Sequence, residues 1–247
     1  MRHHTELLPD PLPAEPLVIA SRWLEEAWKA AQLPNPNAMV VASVDAEGQP
    51  SARVVLCKEI VPTPGYLVFY TNYQSRKGRQ LTQQPRAAVV MHWDALHRQV
   101  RVEGPVVKTP DADSDKYFAS RAWQSRLGAW ASQQSEPIGS RADLQAAVVA
   151  AAKRFGTPVP DAPVDSLSPN LDGPARSAGT RGTPSHQEVV VPRPPNWGGF
   201  QIWAESVELW VEGEARIHDR ARWTRTLKKK ADGTFDTGPW TSTRLQP

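Results

Sequence analysis

Five short runs of apolar and β-branched residues, separated by turn signals, constrain what the first half of the chain can fold into. They cover residues 38–44, 52–58, 65–71, 87–93 and 98–108. Short strands at this spacing are typical of a closed or half-closed antiparallel barrel rather than of a parallel sheet.

Strand-like sequence returns near the C-terminus. Three runs cover residues 200–205, 206–211 and 215–220, and five of the ten Trp lie between residues 197 and 240. Because aromatic side chains bury much of their surface, this end is predicted to belong to the core. The predicted fold class is therefore mainly β with helices (α+β), an antiparallel β-barrel on which helices pack.

Three other segments carry helical signals. Residues 15–31 repeat apolar side chains at helical spacing, residues 72–83 predict a short helix, and residues 111–155 are mostly helical. Within the last segment, Ser140-Arg-Ala-Asp143 resembles a capping box. A helix is predicted to begin there and to stop at Gly156.

One stretch lacks the composition of a folded segment. Residues 157–195 hold nine prolines, with many Ser, Gly and Asp and almost no aromatics. Such a composition buries too little apolar surface to order itself. We therefore expect a mobile N-terminal arm at 1–14, a single domain built from 15–156 and 192–247, and a Pro-rich flexible insertion at 157–191.

The charge and the cysteine content exclude several kinds of function. The formal net charge is only +3, which is too small to indicate nucleic acid or an anionic membrane as a partner. The lone Cys57 cannot form an intramolecular disulfide, and with no Cys/His spacing typical of zinc no metal site is predicted. No stretch resembles a secretory signal or a membrane span, so we expect a soluble cytoplasmic protein. Any anionic ligand must be held by local clusters of cations.

The segment Arg216-Ile-His-Asp-Arg220 carries the strongest local signal for a ligand. On a strand, Arg216, His218 and Arg220 share one face, where the two guanidinium groups repel each other unless an anion lies over them. The alternative is a solvated edge strand whose cations pair with Glu212 and Glu214. If the chain uses a general base, His218 is the candidate.

A second candidate lies where a predicted strand ends and a helix begins, in Tyr70-Thr-Asn-Tyr-Gln-Ser-Arg-Lys77. Free backbone N–H groups converge there with Ser75, Arg76 and Lys77, so this helix start suits a phosphate. The alternative is an ordinary capped helix with charges facing solvent. Neither a Gly-rich dinucleotide fingerprint nor a P-loop accompanies the segment.

Two further groups combine cations with apolar or hydroxyl side chains. Arg53 and Lys58 flank an apolar strand, but alternation places them on opposite faces, so they reach one ligand only through a bulge or a subunit interface. Tyr117 and Arg121 are spaced i, i+4, and Ser125 lies one turn further if the helix continues, an arrangement suited to phosphate. The alternatives are a solvated strand end and a Tyr packed on an Arg stem.

Taken together, these segments resemble the pyridoxamine 5'-phosphate oxidase family in order and spacing, over nearly the whole chain from Glu15 apart from the insertion. The motifs are AMVVASVDAEGQPSARVVLCK, VFYTNYQSRKGRQL, QPRAAVVMHW, RQVRVEG, KYFASR, LGAWASQQS, VPRPPNWGGFQIW, ELWVEGEARIHDR and a final RLQP. The resemblance implies an FMN-binding split β-barrel, assembled as a homodimer with two FMN sites at the subunit interface.

The resemblance also implies a role for each matching residue. The implied FMN contacts are Arg53, Lys58, Tyr70, Thr71, Arg76, Lys77, Gln99, Gln134, Ser135, Trp210 and Arg220. The implied substrate-phosphate contacts are Lys58, Tyr117, Arg121 and Ser125. Arg216 and His218, the catalytic candidates, would lie against the pyridine ring and amine of the substrate. Two phosphates would explain two separate cationic clusters in a chain of nearly balanced charge.

The implied reaction is oxidation at C4' of pyridoxamine or pyridoxine 5'-phosphate to pyridoxal 5'-phosphate, with FMN reoxidised by O2 to give hydrogen peroxide. Two alternatives stay open: an FMN oxidase of the same fold with another substrate, as in the phenazine pathway, and a flavin- or pyridoxal-phosphate-binding protein without turnover. The sequence departs from the family at Ala122-Trp123, where Pro-Arg is usual, and at 157–191, where the usual connection is short.

Overall fold

The computed structural model describes residues 6–160 and 190–247. They divide into two compact units. The barrel unit comprises the described residues of Met1–Phe69, Gln80–Lys108 and Phe200–Pro247, and the helical unit comprises those of Tyr70–Arg79 and Thr109–Gly199.

The described chain contains twelve strands and five α-helices. The strands are β1 Ala38–Val44, β2 Pro50–Leu56, β3 Glu59–Val61, β4 Tyr66–Asn72, β5 Arg86–Trp93, β6 Arg98–Lys108, β7 Trp197–Trp203, β8 Ser206–Val211, β9 Asp219–Thr224, β10 Leu227–Lys229, β11 Phe235–Thr237 and β12 Thr241–Leu245. The helices are α1 Pro16–Ala30, α2 Arg76–Gln83, α3 Asp111–Ser120, α4 Trp123–Ala131 and α5 Arg141–Phe155.

Ten of the strands form one antiparallel sheet that curls into a half-barrel. The main order is β12-β9-β8-β6-β5-β1-β2, while β7 pairs with both β6 and β4, and β4 also pairs with β3. Strands β10 and β11 form a separate hairpin. The predicted antiparallel barrel with helices is therefore confirmed.

Strand β6 changes its partner along its length, and this change produces the curl. Its first six residues pair with β8, whereas Val106–Lys108 pair with β7. Gly104 lies at the transition, where an added Cβ would come 1.9 Å from the carbonyl oxygen of Trp203. Only glycine allows the backbones to approach this closely, so the curl of the sheet requires a glycine at this position.

The core of the barrel unit lies on one face of the sheet, beneath helix α1. Alternate residues of β6 are buried, as a strand with one covered face requires. Helix α1 packs against β3 and β8 through the stripe that contains Leu17, Ala20 and Trp23. The guanidinium of Arg98 lies 5.0 Å from the centre of the Trp23 ring and pairs with Glu26.

Most predicted elements are present, with small shifts at their ends. The predicted cap is confirmed: Ser140 Oγ accepts a hydrogen bond of 3.1 Å from the Asp143 N–H, and α5 ends at Gly156 with φ of +63°. The short strand β3 was not predicted, because its three residues are too few for a periodic pattern. None of the described helices has the length and apolarity to cross a lipid bilayer.

The predicted arm and insertion are only partly described. Residues 161–189, most of the predicted insertion, and residues 1–5 lie outside the described residues. Within the rest of the arm, Leu8 is buried and its N–H donates to Asp219 Oδ2 at 2.7 Å. Pro13 accepts a 2.8 Å hydrogen bond from Trp223 Nε1. The sequence did not predict these contacts, and the mobility of the arm stays a prediction.

A buried arginine that follows β9 hydrogen-bonds to the loop before β4 and to the residue after β7. Arg225 is 9% exposed, and its Nε and Nη2 donate to the carbonyl oxygens of Ala204 and Gly65 at 2.8 and 2.9 Å. Its guanidinium lies 4.2 Å from the centre of the Trp240 ring. Burial lowers the pKa of Arg225 to about 10, which leaves it charged at neutral pH.

We expect Arg225→Met to lower the free energy of unfolding by about 2–4 kcal/mol, because two buried carbonyl groups lose a charged donor. Urea denaturation followed by Trp fluorescence measures the change. Lys228→Met removes an exposed cation and is the control, with an expected effect within about 0.5 kcal/mol. Equal stability of the two variants would contradict the role of Arg225.

Candidate active site

The start of helix α2 in the helical unit is built around a buried serine. Ser75 is fully buried, and its Oγ donates to the carbonyl oxygen of Asn72 at 2.7 Å. Ser75 Oγ also accepts a 3.3 Å hydrogen bond from the N–H of Gly78. This is the geometry of an N-cap, which satisfies one of the free N–H groups of the first turn.

Lys77 lies within this turn and connects three segments of the helical unit. Its Nζ donates to Gln134 Oε1 at 2.9 Å, to Thr71 Oγ1 at 3.1 Å and to Ser75 Oγ at 3.3 Å. Thr71 Oγ1 also donates to Gln134 Oε1 at 3.1 Å. The structure thus brings together three predicted FMN residues: Thr71, Lys77 and Gln134. We call Thr71, Ser75, Lys77 and Gln134 the Lys77 cluster.

The chemistry of the Lys77 cluster suits a phosphate. An ammonium group, two hydroxyl groups and a carboxamide converge at the N-terminus of a helix, and each can donate a hydrogen bond to an anionic oxygen. The predicted residues Arg76 and Ser135 flank the cluster in sequence and are exposed. Ser135 has φ of +74°, in the turn that follows Gln134.

A surface cavity adjoins the cluster within the helical unit. It has a volume of about 300 Å³ and is lined by Gln74, Arg79, Gln133, Gln134 and Glu136. Arg79 pairs with Glu136 at 2.5 Å across its wall. Gln134 belongs to both the cavity and the Lys77 cluster, so the two adjoin at this side chain.

A stack of aromatic rings gathers a second set of predicted residues. The rings of Tyr70 and Tyr117 are stacked with centroids 4.1 Å apart, and Trp197 is stacked on Tyr70 at 5.5 Å. The guanidinium of Arg121 lies 4.9 Å from the centre of the Trp197 ring. Trp197 was not predicted as a site residue, although it lies in the motif VPRPPNWGGFQIW that this chain shares with the family it resembles.

The helix that carries Tyr117 does not continue through Arg121 to Ser125. Helix α3 ends at Ser120, Arg121 adopts an extended conformation with ψ of 150°, and Ser125 belongs to α4. The condition for a one-turn spacing from Arg121 to Ser125, a continuous helix, is therefore not met. Trp123, the departure from the family pattern, packs against the cluster of buried residues formed by Leu127, Ala151, Ala152 and Val191.

In the barrel unit, three predicted FMN residues form a row across neighbouring strands. Gln99 of β6 lies opposite Trp210 of β8, which lies opposite Arg220 of β9. Directly paired residues share one face, and here it is the face away from the core. Arg220 donates through Nη2 to Glu208 at 2.8 Å. The alternative, in which the cations of this segment pair with Glu212 and Glu214, therefore does not hold for Arg220.

Arg53 is held rigidly among hydroxyl groups. Its Nη1 donates to Ser43 Oγ at 2.6 Å, and its Nη2 donates to Ser51 Oγ at 2.5 Å and to Gln80 Oε1 at 3.3 Å. Gln80 is 3% exposed, and its Nε2 has no hydrogen-bond partner among the described residues. Sequence reasoning missed these supports, although two-residue alternation along β2 places Ser51 beside Arg53.

Lys58 does not lie on the strand that carries Arg53. Strand β2 ends at Leu56, and the Lys58 N–H donates to the carbonyl oxygen of Val68 at 2.8 Å. Strict alternation therefore does not extend to Lys58, and the expected placement of the two cations on opposite faces of one strand is wrong.

The segment 215–220 is not a strand over its whole length, contrary to the prediction. Ala215 and Arg216 have φ of 53° and 65°, which turn the chain in the left-handed region, and β9 begins only at Asp219. Arg216 is exposed in this loop. His218 packs beside Trp210, with ring centroids 4.7 Å apart, and its Nδ1 lies 3.2 Å from the N–H of Gly213.

Burial keeps two groups near these elements protonated. It raises the pKa of the Cys57 thiol to about 12, although backbone hydrogen bonds at Glu59 and Val68 oppose the shift. It also raises the pKa of the Tyr73 phenol, which donates to the carbonyl oxygen of Gly199 at 3.1 Å.

A metal site requires several ligating side chains in one group. Residues 6–160 and 190–247 contain no group of three or more His, Cys, Asp or Glu side chains that could hold a metal ion.

Solved structures share this fold. The chain superimposes on PhzG from Burkholderia lata, crystallised with tetrahydrophenazine-1-carboxylic acid, with a TM-score of 0.75 and 26% identity over 98% of each chain. It also matches a pyridoxamine 5'-phosphate oxidase-related, FMN-binding protein from Nostoc punctiforme, with a TM-score of 0.60 and 15% identity, covering 96% of this chain and 100% of that one. The predicted split barrel is therefore confirmed.

Sequence relatives extend over almost the whole chain. Pyridoxine/pyridoxamine 5'-phosphate oxidases from Burkholderia orbicola and Roseobacter denitrificans are 42% and 40% identical, each over 94% of this chain and over 89% and 94% of their own length. Residues 24–155 match the family model described as pyridoxamine 5'-phosphate oxidase, and residues 197–247 match the C-terminal dimerisation region of pyridoxine 5'-phosphate oxidase. The chain therefore belongs to the pyridoxamine 5'-phosphate oxidase family.

Proposed function

We propose that the chain oxidises pyridoxamine 5'-phosphate or pyridoxine 5'-phosphate to pyridoxal 5'-phosphate, using FMN and O2, in cytoplasmic vitamin B6 metabolism. With the amine, the CH2–NH2 group, O2 and water give the aldehyde, ammonia and hydrogen peroxide. With the alcohol, the CH2–OH group and O2 give the aldehyde and hydrogen peroxide. The observation that carries the proposal is the convergence of Tyr117 and Arg121 on Trp197.

The residues present fit FMN. The Lys77 cluster offers the donors that a phosphate requires, and the row Gln99, Trp210 and Arg220 offers hydrogen bonds and an aromatic face to a heteroaromatic ring. Arg53, fixed by Ser43 and Ser51, is a further proposed contact. When bound, FMN accepts a hydride equivalent from the substrate carbon and passes the electrons to O2.

Besides Thr71 and Gln134 of the Lys77 cluster, the remaining predicted FMN contacts are Lys58, Tyr70, Arg76 and Ser135. The proposed substrate-phosphate contacts are Lys58, Tyr117, Arg121 and Ser125. Planar guanidinium groups and hydroxyls are the side chains that bind phosphate oxygens with the best geometry. Arg216 and His218 are proposed to contact the pyridine ring and the amine or alcohol, and Arg216 orients the substrate.

We also propose that the chain acts as a homodimer with FMN at the subunit interface. The match of residues 197–247 to the dimerisation region of the family supports this assembly. The sheet also presents Val40 and Val54 directly opposite each other, 40% and 65% exposed. Exposed apolar side chains grouped on one sheet face are typical of a surface that another protein covers.

A second candidate function is suggested by the likeness to PhzG, which was crystallised with a phenazine compound. On this alternative, FMN binds as proposed and the substrate lacks a phosphate. Tyr117, Arg121 and Ser125 favour the first proposal, because they are assigned to the substrate phosphate alone and a substrate without phosphate requires none of them. A protein that binds flavin or pyridoxal phosphate without turnover is the third possibility, and it gives no role to Arg216 and His218.

Anaerobic reduction tests the proposal. We expect purified protein to be yellow, to lose its colour when pyridoxamine 5'-phosphate is added without O2, and to recover it in air with release of pyridoxal 5'-phosphate. The visible absorbance of the flavin measures each step. Protein that stays yellow with this substrate would contradict the substrate assignment, and protein unable to take up FMN would contradict the cofactor.

Lys77→Met tests the proposed phosphate site. Loss of its charged hydrogen bonds is expected to weaken FMN binding about 10–100-fold, measured by titrating FMN-depleted protein and following flavin fluorescence. Lys153→Met, on the exposed surface of α5, is the matched control and should bind FMN as tightly as the wild type. Equal affinity of both variants would rule out a direct contact from Lys77.

Arg216→Ala tests the separation of catalysis from cofactor binding. Because Arg216 is proposed to orient the substrate and not to hold FMN, the variant should retain its yellow colour and lose turnover by about 10-fold or more. Stopped-flow reduction of the bound flavin gives the rate. Loss of FMN from the variant would place Arg216 in the cofactor site instead.

A further inference from the structure

The loop between β8 and β9 is fixed at several points within the barrel unit. Its flanking residues Val211 and Asp219 are paired in the sheet. The Glu212 N–H donates to the carbonyl oxygen of His97 at 2.9 Å, and the Ile217 N–H donates to that of Glu214 at 2.9 Å. The path of the backbone from 212 to 218 is therefore determined by hydrogen bonds at both ends.

Gly213 lies where this loop closes on itself. A Cβ at this position would come 1.7 Å from the carbonyl oxygen of Ile217 and 3.3 Å from the Cα of His218. Its φ of −118° is open to any residue, so the need for glycine comes from the close approach of the two backbone segments. The approach places the Gly213 N–H 3.2 Å from His218 Nδ1.

This contact determines which ring nitrogen of His218 carries the proton. A backbone N–H only donates, so Nδ1 accepts with its lone pair, and in the neutral imidazole the proton is then on Nε2. The lone pair of Nδ1 is occupied by Gly213, and Nε2 has no lone pair to offer. In this state His218 donates a hydrogen bond through Nε2 and has no free basic nitrogen.

We propose that Gly213 is a positioning residue that holds His218 in the Nε2–H tautomer, so that His218 serves the reaction as a hydrogen-bond donor and not as a general base. The inference rests on the proposed function in one respect, namely that His218 contacts the substrate. Its partner is then an acceptor atom of the substrate, such as a ring-bound oxygen or a C4' hydroxyl. This replaces the expectation that His218 is the candidate base.

The tautomer is measured directly, without turnover. Two-bond proton–nitrogen NMR spectra of the FMN-loaded enzyme, recorded about two units above the ordinary His pKa of about 6.5, distinguish a protonated from an unprotonated ring nitrogen. The signal of His218 is assigned by its absence in His218→Gln. We expect an unprotonated Nδ1 and a protonated Nε2. A protonated Nδ1 would overturn the proposal while leaving the anaerobic reduction test of the proposed function untouched.

Gly213→Ala tests the positioning. The added methyl must displace the 217 carbonyl or the 213 N–H, so we expect the His218 signals to become those of mixed tautomers. Gly128→Ala is the control, because a Cβ at Gly128 meets no atom within 4 Å. An unchanged His218 spectrum in folded Gly213→Ala would overturn the assignment of the tautomer to this contact.

Two variants of His218 itself distinguish a hydrogen-bond donor from a general base, and this test does not depend on whether Gly213→Ala folds. The carboxamide of Gln offers an N–H donor in place of the imidazole Nε2 but no basic nitrogen. We expect His218→Gln to keep kcat within about 10-fold of wild type and His218→Leu to lose about 10–100-fold more, the value of a hydrogen bond to the reacting molecule. If both variants lose activity equally, by about 100-fold or more as removal of a base requires, the donor role is overturned.

Discussion

Strand β6 pairs with β5 along one edge and with β8 and then β7 along the other, and the arrangement of the barrel unit depends on this double pairing. The change of partner occurs at Gly104, where the backbone of Trp203 leaves no room for a side chain. The same pairing places Gln99 opposite Trp210, and β9 extends the row to Arg220. The curl of the sheet and the row of proposed cofactor contacts thus follow from one set of backbone hydrogen bonds.

The sequence predicted the elements that carry strong local patterns. Alternation along β5 and β6 and the Ser140 cap depend on neighbours in the chain, and all were confirmed. The loop at Ala215 and Arg216 was not predicted. Neither residue is a proline, and only Gly213 marks a turn nearby, so the path of the loop is set by the close approach of two backbone segments.

For the site as well, the sequence identified local motifs, whereas contacts that depend on the fold were not predicted. Motifs identified the charged residues, and the structure brings Thr71, Lys77 and Gln134 together as expected. The residues that hold these groups in place were missed, since Trp197 beside Arg121 and Gln80 beside Arg53 carry no chemistry of their own in sequence. Supporting residues become visible only when the fold shows what they touch, and they fix the geometry on which binding depends.

The central claim is that this chain acts on a phosphorylated B6 vitamer and not on a phenazine. The most direct measurement is the rate at which the bound flavin is reduced, without O2, by pyridoxamine 5'-phosphate, by pyridoxamine and by tetrahydrophenazine-1-carboxylic acid. The account predicts rapid reduction by the phosphorylated amine alone, with pyridoxamine slower by about 100-fold or more because the charged hydrogen bonds to phosphate are lost. Reduction by the phenazine acid as fast as by pyridoxamine 5'-phosphate would contradict it.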